Sequence, residues 1–73
     1  MDVEEISSRL KEVGCTIAKT QVNQRGRHVH LVQPWNVAMF LEDVSEVLTG
    51  QATLQEIIDR NKGADLGDPW PVP

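Results

Sequence analysis

Glycines and a proline divide this chain into short segments, and this division constrains the fold more than any other feature. Glycine adopts the positive φ that ends helices and tight turns, and proline cannot donate a hydrogen bond to a neighbouring strand. These residues stand at Gly14, Gly26, Pro34, Gly50 and Gly63. Because the segments between them are short and the chain has only 73 residues, we expect one small domain with a thin core.

The first segment predicts a helix from Val3 to Val13. Its apolar residues recur at the helical spacings of three and four: Val3, Ile6, Leu10 and Val13. Asp2 and Glu5 have the spacing of a capping box, which satisfies free N–H groups in the first turn. Gly14 stands where a helix ends in a left-handed residue.

The second segment predicts a β-hairpin. Residues 15–22 are rich in β-branched side chains, residues 23–26 (Asn-Gln-Arg-Gly) form a turn signal, and residues 27–33 alternate. The alternation places Val29 and Leu31 on one face and His28 and His30 on the other. We therefore expect an apolar inner face and exposed histidines.

Two further helices are predicted after Pro34. Asn36 is a candidate cap for a helix over residues 37–49, whose apolar stripe is Val37, Phe40, Leu41, Val44, Val47 and Leu48. The stripe leaves Glu42, Asp43 and Glu46 on the solvent side. A short third helix follows over residues 54–61, with Thr53 and Glu56 as its capping box.

These elements predict an α+β fold in the order helix, β-hairpin, helix, short helix, with the helices on one face of the hairpin. The domain covers residues 1–62. Residues 63–73 are rich in proline and glycine and predict a flexible tail. We expect Trp35 to pack on the core and Trp70, within the tail, to dock on the domain or on a partner.

The charge of this acidic chain is unevenly distributed. Its formal net charge is −4. Residues 1–14 carry −2 and residues 34–73 carry −5, whereas residues 15–33 contain Lys19, Arg25 and Arg27 with no acid and carry +3. A net negative chain is unsuited to general binding of nucleic-acid phosphates, so the basic hairpin is the most informative feature for function.

Catalytic and metal chemistry are both poorly supported by the residue pattern. His28 and His30 have only Cys15 as a further soft ligand, fewer than zinc requires, so we predict no metal and no cofactor. Cys15 follows a helix C-terminus, where the dipole disfavours a thiolate, and a buried structural cysteine is the better interpretation. We predict no catalytic residue and no enzyme activity.

The basic hairpin predicts a surface that binds a partner. Its candidate residues are Lys19, Arg25, Arg27, His28 and His30. Arginines beside a turn glycine project freely and form charge-assisted contacts with acidic groups. We therefore predict a non-enzymatic regulatory protein that binds a larger macromolecule. The alternative is a small nucleic-acid-binding module that uses the same hairpin; the helix pair 37–49 and 54–61 is too acidic for a DNA-reading helix-turn-helix.

The opening helix, Gly14, the hairpin and the run Gly26-Arg27-His28 together resemble the HicA-type messenger-RNA-cleaving toxins. That family has an early helix, a short sheet and a Gly-Ser-His motif that carries its catalytic histidine. Arg27 replaces the serine here, and the acidic helix 37–49 has no counterpart. The resemblance implies an RNA-cleaving enzyme with His28 as general acid or base.

A second resemblance concerns the character of the whole chain. A small, acidic, cysteine-poor chain without a reaction motif resembles phage-encoded host-takeover proteins of the RNA polymerase inhibitor and antiterminator type. That resemblance implies bacterial RNA polymerase as the leading partner, bound to inhibit transcription or to prevent its termination. The single cysteine and the absence of an export signal or long apolar run predict a cytoplasmic protein that does not enter membranes.

Overall fold

The computed structural model describes residues 2–67, which form one α+β domain as predicted. An antiparallel sheet in the order β1-β2-β3 packs against helices. The elements in chain order are α1 (Val3–Glu12), β1 (Thr16–Val22), β2 (His28–Gln33), β3 (Val37–Met39), α2 (Leu41–Leu48) and α3 (Leu54–Arg60).

Helix α1 begins and ends where its local sequence predicts. The Asp2 carboxylate accepts a hydrogen bond from the Glu5 backbone N–H at 2.9 Å, which satisfies one free donor of the first turn. Gly14 follows the helix with a φ of +80°, in the left-handed region. Ile6 and Leu10 are buried, but Val13 is exposed, so the apolar stripe contacts the core only through its middle.

The predicted hairpin is confirmed as β1 and β2, and its register shows which face each side chain occupies. Directly paired residues point to the same side of a sheet. His30 pairs with Thr20 on one side and with Met39 on the other. Met39 is fully buried in the core beneath the helices. His28 and His30 therefore lie on the helix-facing side, and the prediction of an exposed His30 is wrong.

A third strand occupies the start of the predicted second helix. Val37–Met39 pairs with β2, and α2 spans only Leu41–Leu48, so the predicted helix over residues 37–49 is wrong at its beginning. Asn36 is not a helix cap. It has a φ of +59° and donates its backbone N–H to the Val32 carbonyl, which closes the turn between β2 and β3.

The core lies between the helix-facing side of the sheet and the three helices. Its buried members are Ile6, Leu10, Cys15, Val32, Met39, Val44 and Ile57. Trp35 packs against this cluster, as predicted, and Cys15 is the buried structural cysteine that its position indicates. The predicted capping box of α3 is also confirmed, since Thr53 and Glu56 exchange hydrogen bonds of 3.2 Å.

Asp43 joins α2 to α3 through a buried carboxylate. Its side chain accepts hydrogen bonds from the Phe40 backbone N–H at 3.2 Å, from Asn61 Nδ2 at 2.9 Å and from Arg60 at 2.5 Å. Asp43 is only 3% exposed, so its predicted position on the solvent side is wrong. The Arg60 pKa is raised, first by its hydrogen bond to Glu46 and then by the one to Asp43.

Residues 63–67 cover the face of the sheet that points away from the helices. The Leu66 carbonyl accepts a hydrogen bond from Gln21 Nε2 of β1 at 3.2 Å, and Leu66 also lines a surface groove with Ala38 of β3. Because β2 lies between these strands, the segment crosses it where Val29 and Leu31 are buried. The rest of the predicted flexible tail, including Trp70, lies outside the described residues.

The Asp43→Ala variant tests whether this carboxylate holds α3 in place. We expect its free energy of unfolding, measured by urea denaturation, to fall by about 2 kcal/mol, because buried donors lose a charged acceptor. The loss stays below that of a fully buried ion pair because Arg60 is half-exposed and becomes hydrated. The control is Asp59→Ala on α3, whose carboxylate is exposed. Equal losses in the two variants would contradict this role.

Candidate functional site

Asn23 organises the turn of the hairpin. Its side-chain oxygen accepts hydrogen bonds from the backbone N–H groups of Arg25 and Arg27, both at 2.9 Å. Its own backbone N–H donates to the Arg27 carbonyl, and Gly26 completes the turn with a φ of +80°. Asn23 is only 7% exposed, so its buried side chain holds the turn through hydrogen bonds from the inside.

The same turn is tied to the distant residue Asp65. Asn23 Nδ2 donates to the Asp65 carbonyl, and the Asp65 carboxylate accepts from the Gln24 backbone N–H, both at 2.9 Å. The other carboxylate oxygen of Asp65 accepts from the Gly67 N–H, which fixes its orientation. These contacts hold the basic turn in one conformation. Sequence reasoning identified the turn but missed Asp65, because no local signal links positions 42 residues apart.

The five predicted partner-binding residues do not form one patch. Lys19 pairs with Leu31, so its side chain lies on the side of the sheet opposite the histidines. Arg25 is exposed on the turn, and neither Lys19 nor Arg25 forms an ion pair within residues 2–67. His28 is exposed, whereas His30 is buried.

Arg27 is held in place by two side chains of the α2 region. Its guanidinium lies 4.3 Å from the centre of the Phe40 ring and forms an ion pair with Glu42. The prediction that both turn arginines project freely therefore applies to Arg25 but not to Arg27. The Arg27 and Glu42 side chains are 52% and 60% exposed, so the pair contributes little to stability.

A cleft of about 420 Å³ lies between the hairpin and the starts of α1 and α2. We call it the histidine cleft. Its lining residues are Val3, Thr20, Arg27, His28, His30, Leu41 and Glu42. Three of the five predicted residues therefore meet here, together with Glu42, which the apolar stripe predicts on the solvent side of the second helix. The strand alternation indicated that His28 and His30 share a face, but not that helices would enclose that face.

His30 is a buried imidazole with one partner. Its Nδ1 lies 2.8 Å from the Thr20 hydroxyl oxygen, and its exposed fraction is 3%. Burial lowers the pKa of His30, and the nearby His28 lowers it further. His30 is therefore neutral at neutral pH, and its other nitrogen, Nε2, forms no hydrogen bond within the described part of the chain.

Residues 2–67 contain neither a cluster of metal-ligating side chains nor a membrane-spanning helix. Among them, no three histidine, cysteine, aspartate or glutamate side chains cluster closely enough to hold a metal ion. No helix in this range combines the length and apolar character needed to span a bilayer. The chain matches no family model, no curated protein and no solved structure.

The lowered pKa of His30 predicts a pH-dependent stability. The unfolded chain binds a proton near the ordinary pKa of 6.5, while the folded chain does so only at lower pH. The stabilisation is thus complete above about pH 6.5 and is lost as the pH falls through the folded pKa. We expect His30→Gln to flatten the fall in unfolding free energy between about pH 7 and about pH 5. Urea denaturation at each pH measures the unfolding free energy. The control His28→Gln, at the exposed position, should retain most of its dependence on pH.

Proposed function

We propose that this protein is a non-enzymatic regulator that binds a larger macromolecular partner through the hairpin turn. The observation that carries the proposal is Arg25, an exposed cation without an ion pair among the described residues, on a turn that Asn23 and Asp65 hold rigid. The chain as a whole is acidic, with a net charge of −4. A basic turn on an acidic body favours a partner with a local acidic site.

The rigidity of the turn supports a binding role. A side chain on a preorganised loop loses less conformational entropy on association than one on a mobile loop. The Arg25 guanidinium offers a planar fork of donors that fits a carboxylate with two parallel hydrogen bonds. Lys19 on one side of the sheet and His28 on the other extend the contact in either direction from the turn.

Bacterial RNA polymerase is the partner we propose first. The basis is the resemblance in size, charge and lack of reaction chemistry to phage host-takeover proteins, whose targets include this enzyme. Binding would alter transcription by inhibition or by antitermination. The acidic surfaces of the helices would then meet basic regions of the same large partner.

Replacement of Arg25 tests this proposal. We expect Arg25→Ala to weaken binding to purified bacterial RNA polymerase by about tenfold or more, because a central arginine contributes strongly to an interface. The matched control is Lys11→Ala, which removes an exposed cation of α1 and should leave the affinity unchanged. Biolayer interferometry measures both affinities. Equal affinities of the two variants, or no binding by the unaltered protein, would contradict the proposal.

A second candidate function is RNA cleavage, favoured by the two imidazoles of the histidine cleft. His28 and His30 line the same cleft as Arg27. Two imidazoles that line one cleft are suited to act as general base and general acid. The resemblance of Gly26-Arg27-His28 to the HicA motif implies His28 as the residue that would act as general acid or base.

The enzyme hypothesis is tested by His28→Ala. We expect cleavage of a messenger RNA by the purified variant to fall by at least about 100-fold, the usual loss when a general acid or base is removed. The control is Lys19→Ala, since Lys19 lies on the opposite side of the sheet from this cleft. Gel analysis of the RNA products measures the rate. RNA that stays intact with the unaltered protein would exclude this function.

A further inference from the structure

The histidine cleft carries more hydrogen-bonding groups than its single acid satisfies. Arg27, His28 and His30 face the cleft, and Glu42 is the only carboxylate among the lining residues. His28 is exposed there and has no hydrogen-bond partner within residues 2–67. This combination favours an anionic ligand.

His30 provides a buried polar atom without a partner. Its Nδ1 is bonded to the Thr20 hydroxyl, whereas Nε2 has no acceptor or donor among residues 2–67. The side chain lines the cleft although only 3% of the residue is exposed. Buried polar groups are nearly always hydrogen-bonded, so this nitrogen indicates a place for a ligand atom.

The start of helix α2 adds donors to the same cleft. Leu41 and Glu42 line the cleft and are the first two residues of α2. The Phe40 side chain at the N-cap accepts no hydrogen bond, and of the backbone N–H groups at this end the Asp43 carboxylate accepts only from that of Phe40, so the Leu41 and Glu42 backbone N–H groups stay free within residues 2–67. Free backbone N–H groups and the positive end of the helix dipole both favour a negative charge at this position.

Glu42 forms an ion pair with Arg27 that an anionic ligand can displace. Both side chains of the pair are more than half exposed, so their attraction is screened by water and weak. Arg27 also rests on the Phe40 ring, which keeps the guanidinium in place when Glu42 moves away. An anion with several oxygens then accepts from Arg27 more effectively than one carboxylate does.

We propose that the histidine cleft binds the phosphoryl group of a phosphate monoester, and that Glu42 is an internal counter-ion which this group displaces from Arg27. The cleft volume of about 420 Å³ suits one small ligand. Val3 and Leu41 supply apolar walls beside the basic groups, which suit the organic part of the ester. This inference goes beyond the proposed partner binding, which rests on Arg25 with His28 at its margin, and it uses the same cleft as the second candidate function.

The test compares two variants that change the net charge equally. Inorganic phosphate and adenosine 5′-monophosphate are titrated into the intact protein near neutral pH, and the imidazole resonances of His28 and His30 are followed by NMR. We expect Glu42→Gln to bind adenosine 5′-monophosphate about fivefold more tightly, since the competing ion pair is lost. The control Glu12→Gln, on the exposed side of α1, should bind like the unaltered protein.

Removal of the Arg27 cation is expected to have the opposite effect on ligand affinity. Arg27→Ala should weaken the binding of adenosine 5′-monophosphate by about tenfold or more. Arg27→Lys keeps the positive charge but lacks the guanidinium fork, so it separates loss of the fork from loss of folding. Tighter binding of the nucleotide than of inorganic phosphate would support the ester, whereas equal affinities would limit the site to free phosphate and overturn that part of the proposal. Equal affinities of Glu42→Gln and Glu12→Gln would overturn the counter-ion role of Glu42. NMR chemical shifts that do not saturate as ligand is added would overturn the binding site itself.

Discussion

The pairing of β2 on both of its edges is the constraint on which the rest of the structure depends. β2 bonds to β1 on one side and to β3 on the other, and the helices and residues 63–67 cover its two faces. Four consecutive residues, 29–32, are therefore buried. A two-stranded hairpin is marginal in water, and this enclosure stabilises it. It also places His30 in the interior and His28 at the entrance of the cleft.

Electrostatics divides the basic hairpin into two separate surfaces. Arg27 turns towards α2, where Phe40 and Glu42 hold it beside the histidines. Arg25 stays on the solvent side of a turn that Asp65 fixes from the other end of the chain. One surface is concave, partly apolar and internally neutralised, whereas the other is a projecting cation. These properties are the basis of the two proposals: a small anionic ligand for the first surface, and a partner with a local acidic site for the second.

Much of the fold was predictable because its signals are local. The helix starts at Asp2 and Thr53 use side chains three residues from their donors, and Gly14 and Gly26 adopt the positive φ that their positions indicate. The third strand was missed for a physical reason. A strand of three residues is too short to show alternation, and the apolar spacing of Val37–Met39 also fits the first turn of a helix. Pairing with β2 decides between the two, and that pairing is a long-range interaction.

The sequence by itself determined the order of most elements, the ends of the helices and the concentration of positive charge in the hairpin, because capping, periodicity and composition act over a few residues. Only the tertiary structure decided which charges remain free. Asp43 became a buried acceptor for Arg60, Glu42 became the counter-ion of Arg27, and the turn became rigid through Asp65. Each of these outcomes joins residues at least 15 positions apart, so it depends on how the elements pack rather than on any local pattern.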